Sequence, residues 1–142
     1  MKPKLIIGNH FSDKRGVLTF NNNFDIQNVK RVYFIENSDI DLIRGWQGHR
    51  IEQRWFSVVL GSFEITLIAV DNWEKPNSNL PKEKFIINAL NFQVLHIPSG
   101  YITSIQALDK NSKLMAMSDY SIGEIQDEYR YSSDYFNISS IK

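Results

Sequence analysis

The 142-residue chain contains no cysteine. Disulfides, thiolate nucleophiles and zinc–thiolate sites are excluded together, and the usage fits a reducing, cytoplasmic setting. Histidine is nearly as scarce, with three in all. A metal-binding barrel needs about three histidines and a carboxylate converging at roughly 2 Å, and only His49 stands where a ligand could. No metal is expected. Charge of one sign is also missing: sixteen basic residues balance sixteen acidic ones, scattered along the chain. No long-range field favours nucleic acid or an acidic membrane, and neither is expected as a partner. No apolar run approaches the roughly 18 residues of a membrane span. The N-terminal Met1–Gly8 segment is too short for a signal peptide and reads as a first strand. No repeat and no low-complexity segment is present.

Alternation of apolar and polar residues dominates. The segments 31–36, 55–60, 63–70, 85–87, 94–97, 101–107 and 114–118 are rich in β-branched and aromatic residues and read as strands. Phe63, Ile65, Leu67 and Ala69 define a buried face, and Ser62, Glu64, Thr66 and Ile68 a mixed one. Gly61-Ser62 between two apolar runs predicts a hairpin turn. Residues 72–81, with Pro76 and Pro81, form the one long loop, a lid or a plain crossover. Pro98-Ser-Gly100 is a tight turn. The only helical candidate is a short one over 122–130. Many short strands with regular turn signals predict one all-β domain over 1–142, a barrel or jelly roll. Trp55 to Leu60 is apolar on both faces, so its second cover is expected from another subunit, making a homodimer, or from within the jelly roll.

The segment Arg44-Gly-Trp-Gln-Gly-His-Arg-Ile-Glu-Gln-Arg-Trp-Phe-Ser-Val58 carries the functional signal. Gln47, His49 and Gln53 fall at alternate positions. An extended chain sends such residues to one face, and polar residues pointing into a β-barrel indicate a ligand site. Strict alternation turns Arg44 away from that face unless a bulge intervenes at Gly45.

Several segments together resemble the sugar 3,4-ketoisomerase family, WxcM-like cupins acting on dTDP-linked 4-keto-6-deoxyhexoses. Asp13-Lys-Arg-Gly-Val-Leu18 is similar to that family's Asp-x-Arg-Gly-x-Leu, and Lys30-Arg-Val-Tyr-Phe34 to its Lys-Arg-Val-Tyr-Tyr strand. Arg44-Gly-Trp-Gln-Gly-His49 with Glu52-Gln53 resembles its Arg-Gly-x-His-Ala-His followed by Glu-Gln. Ile97-Pro-Ser-Gly-Tyr101, Ser118-Asp-Tyr120 and Asp127-Glu-Tyr-Arg-Tyr131 with Tyr135-Phe136 resemble its second half and tail. The chain departs from the pattern at Gln47, where the family has a first histidine, and at Ile102, Thr103 and Ser104, where it has another. The resemblance implies a cupin-type jelly-roll barrel with a small C-terminal extension, no metal and no cofactor. It also implies a nucleotide-sugar substrate used in surface-polysaccharide synthesis.

Isomerising a 4-keto sugar needs a base for the acidic C–H, a donor for the enediolate oxygen and an acid to return a proton. His49 is the expected base. Tyr33 and Tyr101 are the expected donors or second acid. Arg15 and Arg44 are assigned to the pyrophosphate, and Gln47 and Gln53 to sugar hydroxyls or the oxyanion. Trp55, or Trp46, is assigned to stacking on thymine or a sugar face. Asp127 and Glu128 are adjacent, diverge, and are expected on a solvated face. The rival reading is a non-catalytic nucleotide-sugar-binding cupin that has lost its acid–base pair at Gln47 and Thr103.

Overall fold

The computed structural model describes residues 1–136; the last six residues of the expected 1–142 domain lie outside them. Twelve strands follow one another: β1 (Lys4–Ile6), β2 (Asn9–Asp13), β3 (Gly16–Phe20), β4 (Arg31–Ile35), β5 (Ile43–His49), β6 (Arg54–Leu60), β7 (Ser62–Ala69), β8 (Glu83–Asn88), β9 (Val94–Ile97), β10 (Tyr101–Ala107), β11 (Lys113–Ser118) and β12 (Tyr129–Arg130). They form two five-stranded antiparallel sheets, β1-β9-β6-β11-β4 and β12-β5-β10-β7-β8, with the β2–β3 hairpin standing apart. The architecture is all-β, as expected. No helix forms over 122–130, where turns lead into β12 instead.

The alternating pattern builds the core directly. Phe56, Val58, Leu114, Ala116, Leu95, Ile97 and Ile35 face inward from the first sheet. Phe63, Ile65, Leu67, Ile87, Ile105 and Ala107 meet them from the second. Each fully buried side chain of this size contributes about 1.5–3 kcal/mol relative to exposure. The expected hairpin at Gly61 is not one. β6 and β7 belong to different sheets, so Gly61 carries the chain across the sandwich. Its φ of +78° favours glycine, and an added Cβ would collide with the Ser112 hydroxyl. The outer face of β6 is covered partly from within the chain. Trp55 packs with Val94 and Met117 beneath Phe24 and Val29, while Val59, Val32 and Phe34 stay exposed.

Residues 70–82 run between β7 and β8. The tail pins them to the outer face of the second sheet. Tyr131 Oη donates to the Trp73 carbonyl at 2.8 Å, and Tyr135 Oη to the Pro76 carbonyl at 2.5 Å. Trp46, Ile68, Ile102 and Phe136 form a second buried cluster under this tail.

Candidate functional site

A cavity of about 880 Å³ opens in the seam where β4, the edge of the first sheet, faces β5 and β12 of the second. That size accommodates a small-molecule ligand. Among its lining residues are Arg31 and Tyr33 from β4, Arg44, Gln47 and His49 from β5, and Arg54 from β6. Thr103 from β10 and Glu128, Arg130 and Tyr131 from the tail also line it, with apolar residues such as Ile35, Ile43 and Ile105.

Arg44 reaches the cavity through a bulge. Gln47 pairs with Thr103 and Arg44 with Ile105, so Gly45 and Trp46 together oppose Ser104. The extra residue resets the alternation and puts Arg44 on the side of Gln47 and His49. The close approach of Ser104 needs Gly45, because a Cβ there would lie 2.7 Å from the Ser104 Cβ.

His49 is buried at the inner end of β5. Its Nδ1 lies 3.2 Å from Arg54 Nη1. A guanidinium only donates, so Nδ1 accepts and the ring proton sits on Nε2. Nε2 points to Glu52 Oε1, 3.6 Å away. Burial, then the positive charges of Arg54, Arg31 and Arg130, push His49 down to about 3. The imidazole is therefore neutral at pH 7, and its approach to Glu52 is not an ion pair. Glu52 is itself buried, and desolvation raises its carboxyl above the ordinary range despite Arg54 and Arg31. Its Oε1 accepts no hydrogen bond within the protein, and neither Arg31 Nε nor Arg54 Nε donates one. Arg54 Nη2 donates to the Tyr33 hydroxyl, leaving that hydroxyl's own proton available to a bound oxygen. Arg31 lies over the Tyr33 ring at 5.1 Å.

The tail builds the remaining wall. Asp127 accepts from the backbone N–H groups of Arg50, Ile51 and Glu52 at 3.0, 2.8 and 2.8 Å, which pins the turn that carries Glu52. Gln47 Nε2 donates to Glu128 Oε2, and Arg130 Nη2 reaches the same oxygen at 2.9 Å. Four arginines thus line the cavity (Arg31, Arg44, Arg54 and Arg130) against one lining carboxylate, Glu128.

The structure brings His49, Tyr33, Arg44 and Gln47 together. It does not bring Arg15, Gln53, Trp55 or Tyr101 to this cavity. Arg15 sits on the exposed β2–β3 hairpin, held by Asp13 at 2.7 Å. β5 ends at His49, so alternation does not carry on to Gln53, which instead accepts from His96 Nε2 at 2.7 Å and bonds Asp119. Trp55 lies on the outer face of β6, stacked on His96 with centroids 5.2 Å apart. Tyr101 pairs with His49 across the sheet but packs against the main core, its hydroxyl raised by burial and by Glu83. Arg54, Glu52, Arg31 and Arg130 were not expected. One signal was legible: Arg54 shares strand parity with Phe56 and Val58, so it had to face inward. Asp127 is buried rather than solvated, whereas Glu128 is exposed as expected. Among the described residues no cluster of His, Asp, Glu or Cys could hold a metal ion.

A family model, FdtA (WxcM-like, C-terminal), matches residues 1–140. The chain belongs to that family. No curated protein matches it. Among solved structures it resembles a mutant of the 3,4-ketoisomerase QdtA from Thermoanaerobacterium thermosaccharolyticum in complex with TDP-4-keto-6-deoxyglucose. The two are 23% identical over 96% of this chain and 92% of that one, with a TM-score of 0.71. The WlaRB TDP-quinovose 3,4-ketoisomerase from Campylobacter jejuni is 22% identical over 95% and 97%, with a TM-score of 0.63. The rmlC epimerase from Mycobacterium tuberculosis is 14% identical over 93% and 70%, with a TM-score of 0.73. These likenesses concern the fold; the chemistry of this WxcM-like chain rests on its own cavity.

Proposed function

We propose that this protein is a sugar-nucleotide isomerase acting on a dTDP-linked 4-keto-6-deoxy sugar, most closely in the manner of a 3,4-ketoisomerase. The observation that carries the reading is the cavity itself: four guanidiniums around a space of about 880 Å³, with a histidine and two tyrosines in its wall. Guanidiniums suit a diphosphate because they offer paired donors in a fixed plane. The ketoisomerase and epimerase names of structurally similar proteins support the sugar and the reaction class.

His49 serves as the base at carbon. Bare, it is a weak one, because burial and three arginines disfavour its protonated form. A diphosphate seated among those arginines offsets their charge and so raises the basicity of His49, while burial continues to lower it. Removal of the C3 proton sends the C–H pair into a C3–C4 double bond and the carbonyl π pair onto O4. The Tyr33 hydroxyl, set by Arg54, donates to that oxygen. The product would feed surface-polysaccharide synthesis in the cytoplasm. The protein works as a homodimer through the exposed outer-face residues Val32, Phe34 and Val59.

The test is incubation with dTDP-4-keto-6-deoxyglucose in deuterated water. Deuterium at C3 of recovered substrate and at C4 of the 3-keto product is expected, both lost in His49→Asn. Deuterium at C5 as well would indicate 3,5-epimerisation. The suppressed basicity of His49 and the amide at position 47 favour a second reading, a binding module. Tight calorimetric binding of the sugar nucleotide with no deuterium anywhere would establish that reading and overturn the enzyme.

A further inference from the structure

Ketoisomerisation moves two protons, not one. The carbon proton leaves C3 and one arrives at C4. Separately, the hydroxyl proton leaves O3 and one arrives at O4. In this cavity His49 is one proton-exchanging group, and the neighbouring strand position is Gln47, whose amide is neither acid nor base near neutrality. The side chain that Gln47 touches is Glu128, from the tail segment that meets β5. Glu128 lines the same cavity as His49 and Tyr33. Its Oε2 receives both Gln47 Nε2 and Arg130 Nη2, so Oε1 takes neither bond. The Glu128 side chain is half exposed, and the two donors on one oxygen leave the other oxygen for a ligand.

We propose that Glu128 is the second acid–base group of the site, held in place by Gln47, and that it carries the hydroxyl proton between adjacent sugar oxygens. The assignment rests on the isomerase reading above. His49 takes the C3 proton, giving the C3–C4 double bond with O4 negative. The Glu128 carboxylate accepts the O3 proton and delivers it to O4. The O3 lone pair re-forms a carbonyl at C3, and the enediol π pair takes the proton from His49 at C4. No proton is gained or lost overall, and no co-reactant is needed. Gln47 is then the donor that orients a carboxylate placed where its own side chain can do no proton transfer.

The experiment compares wild type, Glu128→Gln and Glu128→Gln with Gln47→His, each given dTDP-4-keto-6-deoxyglucose in deuterated water. Glutamine at 128 keeps an acceptor oxygen for Gln47 and Arg130 but cannot exchange a proton. Product formation is expected to fall at least about 100-fold in Glu128→Gln, the lower end for loss of an acid–base group. Deuterium exchange at C3 should stay within about threefold, because His49 still works. A merely structural role would move both together. Adding Gln47→His should recover product at least about tenfold by restoring a titrating group on the same wall. Product formed by Glu128→Gln at the wild-type rate overturns the assignment, as does loss of exchange and product in equal measure. Wild type with no exchange and no product fails differently: it overturns the isomerase reading and this role with it.

Discussion

His49 shows how far a residue's surroundings reset its chemistry. Between about pH 6.5, its ordinary value, and about 3, its value here, the unfolded chain binds a proton that the folded chain refuses. Stability is therefore full above about 6.5 and declines as pH falls toward 3. Glu52 has the opposite sign. Its raised carboxyl keeps a proton in the folded state that the unfolded chain releases above 4.5, so it opposes stability as pH rises past that point. Urea midpoints of the wild type should drop between pH 6.5 and 4, and His49→Gln should flatten that drop. The ring protons of His49, followed by NMR, should titrate far below those of an ordinary histidine. Saturation with dTDP should move the midpoint upward, because the diphosphate offsets the arginines that, after burial, lowered it.

At the scale of elements, short segments that alternation does not describe decide the geometry. Asp127 ties the tail to the turn after β5 through three backbone N–H groups. Asp127→Ala leaves those donors without a buried acceptor. Thermal or urea unfolding should show a loss of about 3 kcal/mol, with a further loss of activity because the tail that carries Glu128 and Arg130 is no longer tied to the turn after β5. Gly61 is the corresponding point between sheets. Gly61→Ala meets both an unfavourable φ and the Ser112 hydroxyl, and should cost about 2 kcal/mol in the same measurement. Strands β4 and β6 to β11 were legible from their β-branched and aromatic content, with alternation where one face is buried, as along β7. The Gly61 crossover was not. A Gly-Ser pair between two apolar runs is equally compatible with a hairpin and a sheet change, and only packing separates them.

For the whole molecule, a net charge of zero conceals a cation-rich cavity, since four arginines from β4, β5, β6 and β12 converge there. Affinity for dTDP should fall as ionic strength rises, and Arg31→Met or Arg130→Met should each weaken it about tenfold, read by calorimetry. The exposed Val32, Phe34 and Val59 share the outer face of the first sheet. Sedimentation should show a dimer for the wild type and a monomer for Phe34→Glu, with the circular dichroism unchanged. Local sequence alone determined the all-β architecture, the inward faces of the strands and the presence of a polar wall on β5, because side-chain direction along a strand follows parity. The membership of that wall was decided only in three dimensions. Arg31, Arg54, Glu128 and Arg130 are far apart in the chain, and the seam between two sheet edges, the bulge at Gly45 and the returning tail bring them to His49. Gln53 and Trp55 belong to the motif itself and Tyr101 pairs with His49, yet packing turned them elsewhere, and Arg15 stays on the separate β2–β3 hairpin.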